Sequence, residues 1–174
     1  MITGEIVTLR PLTEADEDAL YELVADLGTW EENTPAAPTA ITRTAFAERF
    51  QKWLSPEPGS TLFAIELAGV VIGRCDLFGV DELARSGEVG IGLVASARGR
   101  GAGTDALRLL VRFGFVRRNL HRVHLRCIAS NAAAIACYRK TGFVQEGVLR
   151  ESAWVRGSYE DEIVMGVLRA EWAG

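Results

Sequence analysis

Cysteine and histidine are scarce in this 174-residue chain, which has three Cys and two His. Cys75, Cys127 and Cys137 are an odd set without metal or redox spacing, which excludes a disulfide framework and leaves reduced, packed thiols. His121 and His124 lie three apart in a strand-like run, so they point to opposite faces and no shared metal site is expected. Long apolar runs are missing as well. No stretch approaches the roughly 20 residues that span a bilayer, and no charged segment followed by an apolar core opens the chain. The expectation is a cytoplasmic protein without a membrane partner. Repeats and low-complexity tracts are also absent. With 48% hydrophobic residues, one core and one domain over residues 1–174 are expected.

What charge there is lies unevenly. Residues 98–140 hold ten Arg or Lys against one acid, Asp105, in a chain whose total is −4. Residues 1–32 hold nine acids and only Arg10. So acidic a chain is a poor nucleic-acid binder. A solvated basic helix face accounts for most of the arginines, and the acidic end would attract a cationic amine if its carboxylates were free.

The run Arg98-Gly99-Arg100-Gly101-Ala102-Gly103-Thr104 stands between a strand-like stretch and a long amphipathic segment. Glycines let a main chain approach a ligand closely, and the first turn of the following helix has unpaired N–H groups at the positive end of its dipole. A phosphate or pyrophosphate fits there, flanked by Arg98, Arg100 and Arg139. A P-loop needs Lys and then Ser or Thr after its last Gly; Thr104, Asp105 and Ala106 stand there instead. A dinucleotide fingerprint, G-x-G-x-x-A, matches from Gly101 to Ala106. Six residues separate it from the apolar run ending at Val94, and residues 121–129 have no acid for a ribose. An NADP-linked reading with Arg126 near a 2′-phosphate stays open as an alternative.

Periodicity predicts strands over 2–9, 61–67, 70–78, 88–94, 123–128, 143–150 and 159–168. It predicts helices from Thr13 to about Asp26, 41–54, 101–118 and from Ser130-Asn131 to Gly142. Thr13 with Asp16 forms a capping-box pattern, residues 34–39 break regular structure, and Gly142 suits a helix C′ position. The order βααβββαβαββ gives an α/β (α+β) fold. Its central sheet is mixed and mostly antiparallel, with a parallel strand pair around the cradle and helices on both faces.

Read as Arg98-x-x-Gly101-x-Gly103 after the strand Glu88 to Val94, the cradle resembles motif A of the GNAT acyltransferase superfamily. Asn131 to Phe143, an Asn-led helix ending in Gly142-Phe143, is similar to that superfamily's second signature. Leu9-Arg10-Pro11-Leu12 and Gly157-Ser158-Tyr159-Glu160-Asp161 look most like the branch that includes ribosomal-protein alanine N-acetyltransferases. The resemblance implies acetyl-CoA as cofactor, held by Leu93, Val94, Arg98, Gly99, Arg100, Gly101, Ala102, Gly103, Thr104, Asn131, Ala134 and Arg139. It also implies that the strands at 88–94 and 123–128 splay apart to form the cofactor cleft. The main chain of Leu93 and Val94 would pair with the pantetheine amides.

Acetyl transfer to an amine needs a base for the ammonium and an acid for the departing thiolate. Glu88, ten residues before Arg98, occupies the position where several superfamily members carry a catalytic Glu; an ordinary strand-end ion pair is the alternative, and Glu31 and Glu32 are rivals. Tyr138, two helical turns from Asn131 on the same face, is the candidate acid, with core packing as its alternative and N-capping as that of Asn131. The branch often has Ser where this chain has Ala134, which leaves more weight on Tyr138. Trp30, Glu31, Glu32, Trp154 and Tyr159 are candidates for the acceptor pocket. The implied acceptor is a primary amine: a peptide N-terminus, a polyamine or an amine antibiotic. A non-catalytic acyl-CoA-binding module and a homodimer stay open.

Overall fold

The computed structural model describes residues 1–33 and 39–173, except the side chains of Glu32 and Asn33. The predicted break at 34–39 therefore lies almost wholly outside the described residues. Eight strands form one sheet: β1 (Ile2–Thr3), β2 (Thr8–Pro11), β3 (Thr61–Leu67), β4 (Val70–Asp81), β5 (Ser86–Leu93), β6 (Arg122–Ile128), β7 (Val144–Val155) and β8 (Ser158–Leu168). Their spatial order is β1-β2-β3-β4-β5-β6-β8-β7, antiparallel throughout except for β5 with β6. Three helices, α1 (Glu17–Ala25), α2 (Leu27–Asn33) and α3 (Arg43–Leu54), precede β3; α4 (Ala102–Arg112) and α5 (Ala132–Lys140) follow the glycine run and β6.

The two sheet faces have separate cores. On one, the predicted stripe Leu107, Leu110, Val111 and Phe115 is fully buried against Leu77, Val123 and Leu125, because α4 repeats apolar residues every three or four positions. Its last predicted turn continues past Arg112 as a π-helical segment, Phe113–Arg117. On the other, Leu20, Leu23, Phe46 and Phe50 bury α1 and α3. The Thr13–Asp16 capping box forms as its residue types require, and Thr42 caps α3 by accepting from the Ala45 N–H at 3.2 Å. Gly142 stands at the C′ position of α5, with φ +95°.

Two departures from the sequence pattern have local causes. Helix α2 is extra; seven residues carry too few turns for a periodic signal. The strand expected over 2–9 is a hairpin. Asp105 of α4 turns its buried carboxylate into that hairpin's tip and accepts the N–H groups of Glu5, Ile6 and Val7 at 3.3, 2.7 and 2.9 Å. An alternating strand pattern carries no trace of a partner 100 residues away. Asp105→Ala leaves those amides without their acceptor and is expected to cost about 3 kcal/mol, read from urea unfolding. A loss under about 1 kcal/mol would mean that the turn holds itself.

The parallel pair determines where a ligand can enter. Register runs only from Ser86↔Arg122 to Glu88↔His124. Beyond it β5 stays bonded to β4 as far as Leu93↔Gly73, while β6 stays bonded to β8 as far as Ile128↔Glu162, so each strand follows its outer neighbour and the two diverge. The sheet is forked, and the splay implied by the resemblance is present.

Candidate active site in the fork

The chain leaving β5 closes tightly on itself. The Val94 N–H donates to the Ile72 carbonyl at 2.9 Å, and the Val94 carbonyl accepts from the Ala97 N–H at 3.0 Å. The Val94 N–H is therefore spent on β4 and is not open to a ligand amide. Strand alternation turns the Leu93 main chain toward the fork instead, where its carbonyl accepts from Arg98 Nε at 3.0 Å. Arg98 also donates through Nη2 to Thr29 Oγ1 of α2 at 2.7 Å. This guanidinium, expected at phosphates, ties the glycine loop to α2. Asp26 accepts the Thr29 hydroxyl, and that bond holds its carboxyl below the usual range; the Gly28 and Thr29 amides and the Arg98 charge act in the same direction.

Gly99 and Gly101 have φ of +74° and +86°, a backbone that side-chain-bearing residues rarely adopt. Gly101 is the N-cap of α4, and no side chain caps the helix. Its first intrahelical bond runs from the Asp105 N–H to the Gly101 carbonyl, so the amides of Ala102, Gly103 and Thr104 have no helical acceptor. They stand at the mouth of a cleft of about 310 Å³ between α4 and α5, lined by Ile91, Leu93, Arg98, the glycine loop, Thr104, Asn131, Ala134, Cys137, Tyr138 and Lys140 among others. The positive end of α4 and the Lys140 ammonium make this opening suited to an anion.

Helix α5 forms the second wall. Asn131 is its N-cap, accepting the Ala134 N–H on Oδ1 at 3.0 Å. Tyr138 is 9% exposed, packs on Phe143, and its hydroxyl has no hydrogen-bond partner among the described residues. Burial pushes this phenol well above its ordinary value, with Cys127 and Cys137 adding to the effect. It stays protonated at neutral pH.

Glu88 stands at the crotch of the fork on the opposite face. Along β5, Val89, Ile91 and Leu93 face the core under α4, so Glu88 shares the other face with its register partner His124 and with Arg126. Its carboxylate lies 3.5 Å from Arg126 Nε and 3.8 Å from His124 Nε2. His124 Nδ1 lies 3.4 Å from Ser86 Oγ. Burial lowers the His124 pKa, opposed by Glu88 and assisted by Arg122 and Arg126, so the imidazole is neutral at pH 7 and Arg126 is the counter-charge. Among the described residues no group of three or more His, Cys, Asp or Glu is arranged to hold a metal. Nor is any helix long and apolar enough to cross a membrane.

Residues 7–144 match the model of the acetyltransferase (GNAT) domain. The chain belongs to the GNAT acetyltransferase family. It is 30% identical to the spermidine N(1)-acetyltransferase of Escherichia coli K12, over 99% of this chain and 91% of that one. It is also 23% identical to the ribosomal-protein-serine acetyltransferase of the same organism, over 91% and 90%. A crystal structure of the Vibrio cholerae spermidine N-acetyltransferase in complex with CoA and spermine superposes with a TM-score of 0.87 at 24% identity, covering 97% of this chain and 98% of that one; at that identity the likeness shows the fold. Relatives thus include polyamine and ribosomal-protein acetyltransferases, a wider set than the alanine-acetyltransferase branch that the flanking motifs resemble.

In this GNAT acetyltransferase the proposed acceptor residues do not converge on one place. Trp30 packs against the α1–α3 core with the Arg49 guanidinium 5.1 Å from its ring, and Glu31 lies 3.7 Å from Arg156 in the β7–β8 turn. The Glu32 side chain lies outside the described residues. Trp154 and Tyr159 form a cross-strand T-shaped pair at 4.9 Å, but alternation puts them on the face away from Glu88. Ala153 and Val155 take the Glu88 side with Ile128. Arg139 is exposed and outside the cleft lining; Lys140, one helical position on, lines it. Sequence reasoning missed Cys137 and Lys140, although both share a face with Ala133 at helical spacing. It also missed His124, whose place beside Glu88 depends on parallel register.

Proposed function

We propose that this acetyltransferase moves an acetyl group from acetyl-CoA to a primary amine by direct attack in a ternary complex, with residues 1–174 acting as one catalytic domain. One observation carries the reading. Glu88 and Tyr138, a carboxylate and a protonated phenol, stand on the two faces of a single strand fork whose mouth is a glycine loop with three unbonded amides.

When bound, acetyl-CoA supplies an activated thioester. The amides of Ala102, Gly103 and Thr104, with Lys140, hold its diphosphate, and positive-φ glycines keep side chains out of that approach. The main chain of Leu93 orients the pantetheine arm as an added strand does. Glu88 takes the proton that the ammonium must lose, directly or through one water, and Arg126, 3.5 Å away, holds the carboxylate in place. Tyr138 donates its phenolic proton to the departing sulfur.

A peptide N-terminus is favoured over a polyamine as acceptor. Three of the nine acids in residues 1–32 are ion-paired: Asp16 with Arg10, Asp18 with Arg43 and Glu31 with Arg156. Arg49, stacked near Trp30 and Trp53, has no carboxylate partner among the described residues, and its charge is opposed by burial and by Arg74. The Arg49 charge disfavours a polycation beside it.

The test is free-thiol release from acetyl-CoA with an N-terminal peptide, spermidine and an aminoglycoside in parallel. Amine-dependent release, highest in kcat/KM for the peptide, is expected. Binding of acetyl-CoA with no amine-dependent release would make the chain a binding module and end the catalytic reading. Gly101→Val forces a side chain into φ +86° and toward Ile6. It is expected to raise the KM for acetyl-CoA at least about tenfold with a smaller change in kcat.

A further inference from the structure

The parallel ladder gathers polar side chains on the sheet face that Glu88 occupies. Ser86 and Glu88 are two apart on β5, and their register partners on β6 are Arg122 and His124. His124 Nε2 lies 3.8 Å from one Glu88 oxygen, Oε2, and its Nδ1 lies 3.4 Å from Ser86 Oγ. The other Glu88 oxygen, Oε1, lies 3.5 Å from Arg126 Nε. Across β6, the register partner of His124 on β8 is Gly166, and the space over that glycine holds the Arg122–Glu146 pair, in which Arg122 donates to both carboxylate oxygens. The Arg122 charge is thus taken up by β7 and not by Glu88. Burial keeps the His124 ring neutral at pH 7, assisted by Arg122 and Arg126 and opposed by Glu88 and Glu146. A neutral imidazole has one N–H, and its surroundings decide which nitrogen bears it. The carboxylate beside Nε2 favours the proton there, since it repels a lone pair; Nδ1 then accepts from the Ser86 hydroxyl.

We propose that His124 is a positioning residue for the base: its Nε2–H and the Arg126 guanidinium each hold one oxygen of the Glu88 carboxylate and fix the lone pairs left for the incoming amine. The inference rests on the reading of Glu88 as the base. The terminal torsion of a glutamate is broad, so a carboxylate anchored at one oxygen swings. Arg126 is half exposed and has a long side chain, which makes it a loose anchor by itself. His124 has a short side chain on the strand paired with β5 at Glu88 itself, and Ser86 steadies its ring through Nδ1. The 3.8 Å separation is long for a hydrogen bond and closes in the ternary complex, as catalytic contacts commonly do. A base displaced by an ångström loses rate steeply, so the effect falls on kcat. Cofactor affinity is left alone, because α4 and α5 wall the cleft on the other face.

Steady-state kinetics of full-chain variants test this, each variant first checked for folding by its thermal shift with acetyl-CoA. His124→Gln places an amide N–H where Nε2 stands and His124→Asn places one where Nδ1 stands, so the two separate the Glu88 contact from the Ser86 contact. His124→Asn is expected to lower kcat about tenfold with the KM for acetyl-CoA within about twofold, and His124→Gln to stay within about threefold of wild type in both. If the asparagine variant does not fold, His124→Leu takes its place with the same expected loss. His121→Gln, at the exposed second histidine, is the unchanged control. In a Glu88→Gln background the further loss from His124→Asn is expected to stay below about twofold, because a residue that acts through Glu88 has nothing left to position. Wild-type kcat in His124→Asn overturns the proposal. So does a glutamine variant no better than the asparagine one, and so does a further tenfold loss in the double variant. A slow Glu88→Gln enzyme beside a fast His124→Asn enzyme keeps the base and removes only its positioning residue. A Glu88→Gln enzyme with wild-type kcat fails at the earlier step, and the base reading falls together with this one.

Discussion

Glu88→Gln is expected to lower kcat by about two orders of magnitude and to flatten the acid limb of the kcat–pH profile. Glutamine keeps the shape and the strand register but accepts no proton. The KM for acetyl-CoA is expected to stay within about twofold, because Glu88 lies on the sheet face away from the cleft walled by α4 and α5. Stability changes little, since the Arg126 partner is half exposed and such pairs contribute about 1 kcal/mol at most. Glu31→Gln is the control: it removes a solvent-facing contact with Arg156 and leaves the acid limb in place. A Glu88→Gln enzyme with wild-type pH behaviour would move the base elsewhere.

Tyr138→Phe is expected to lower kcat by a factor of about 10 to 100 while preserving the fold, since the ring packing on Phe143 survives and only an unpartnered hydroxyl is lost. The pH dependence separates this from a packing effect. Burial raises the phenol's pKa, so the acid form persists below it and is lost only as pH rises through a value above the ordinary range. Between roughly pH 6 and 9 the loss in kcat is therefore constant, and any alkaline limb in wild type belongs to another group. Full activity in the phenylalanine variant would leave the thiolate to be protonated by solvent.

Much of the site was legible because its residues are close in sequence. The glycine loop and the first turn of α4 are contiguous, and Asn131 and Tyr138 are related by helical spacing, so periodicity and turn chemistry reach them. The errors came where the outcome depended on a partner far along the chain. Arg98 lies where an anion ligand belongs, yet Thr29, 69 positions earlier, takes its guanidinium. Val94 looked like a free strand end until β4 supplied the Ile72 carbonyl. Trp154 and Tyr159 pair across β7 and β8, a contact that depends on the register between the two strands.

The amino-acid order alone determined the α/β element pattern, the glycine loop before α4 and the family resemblance, since each depends on spacing within one or two turns. Only tertiary structure decided that β5 and β6 part after Glu88 and His124, that Glu88 and Tyr138 lie on opposite faces of the forked sheet, and that Asp105 serves the N-terminal hairpin. Those outcomes rest on which strand each edge bonds to, and hydrogen bonding between distant segments leaves no periodic mark in the sequence.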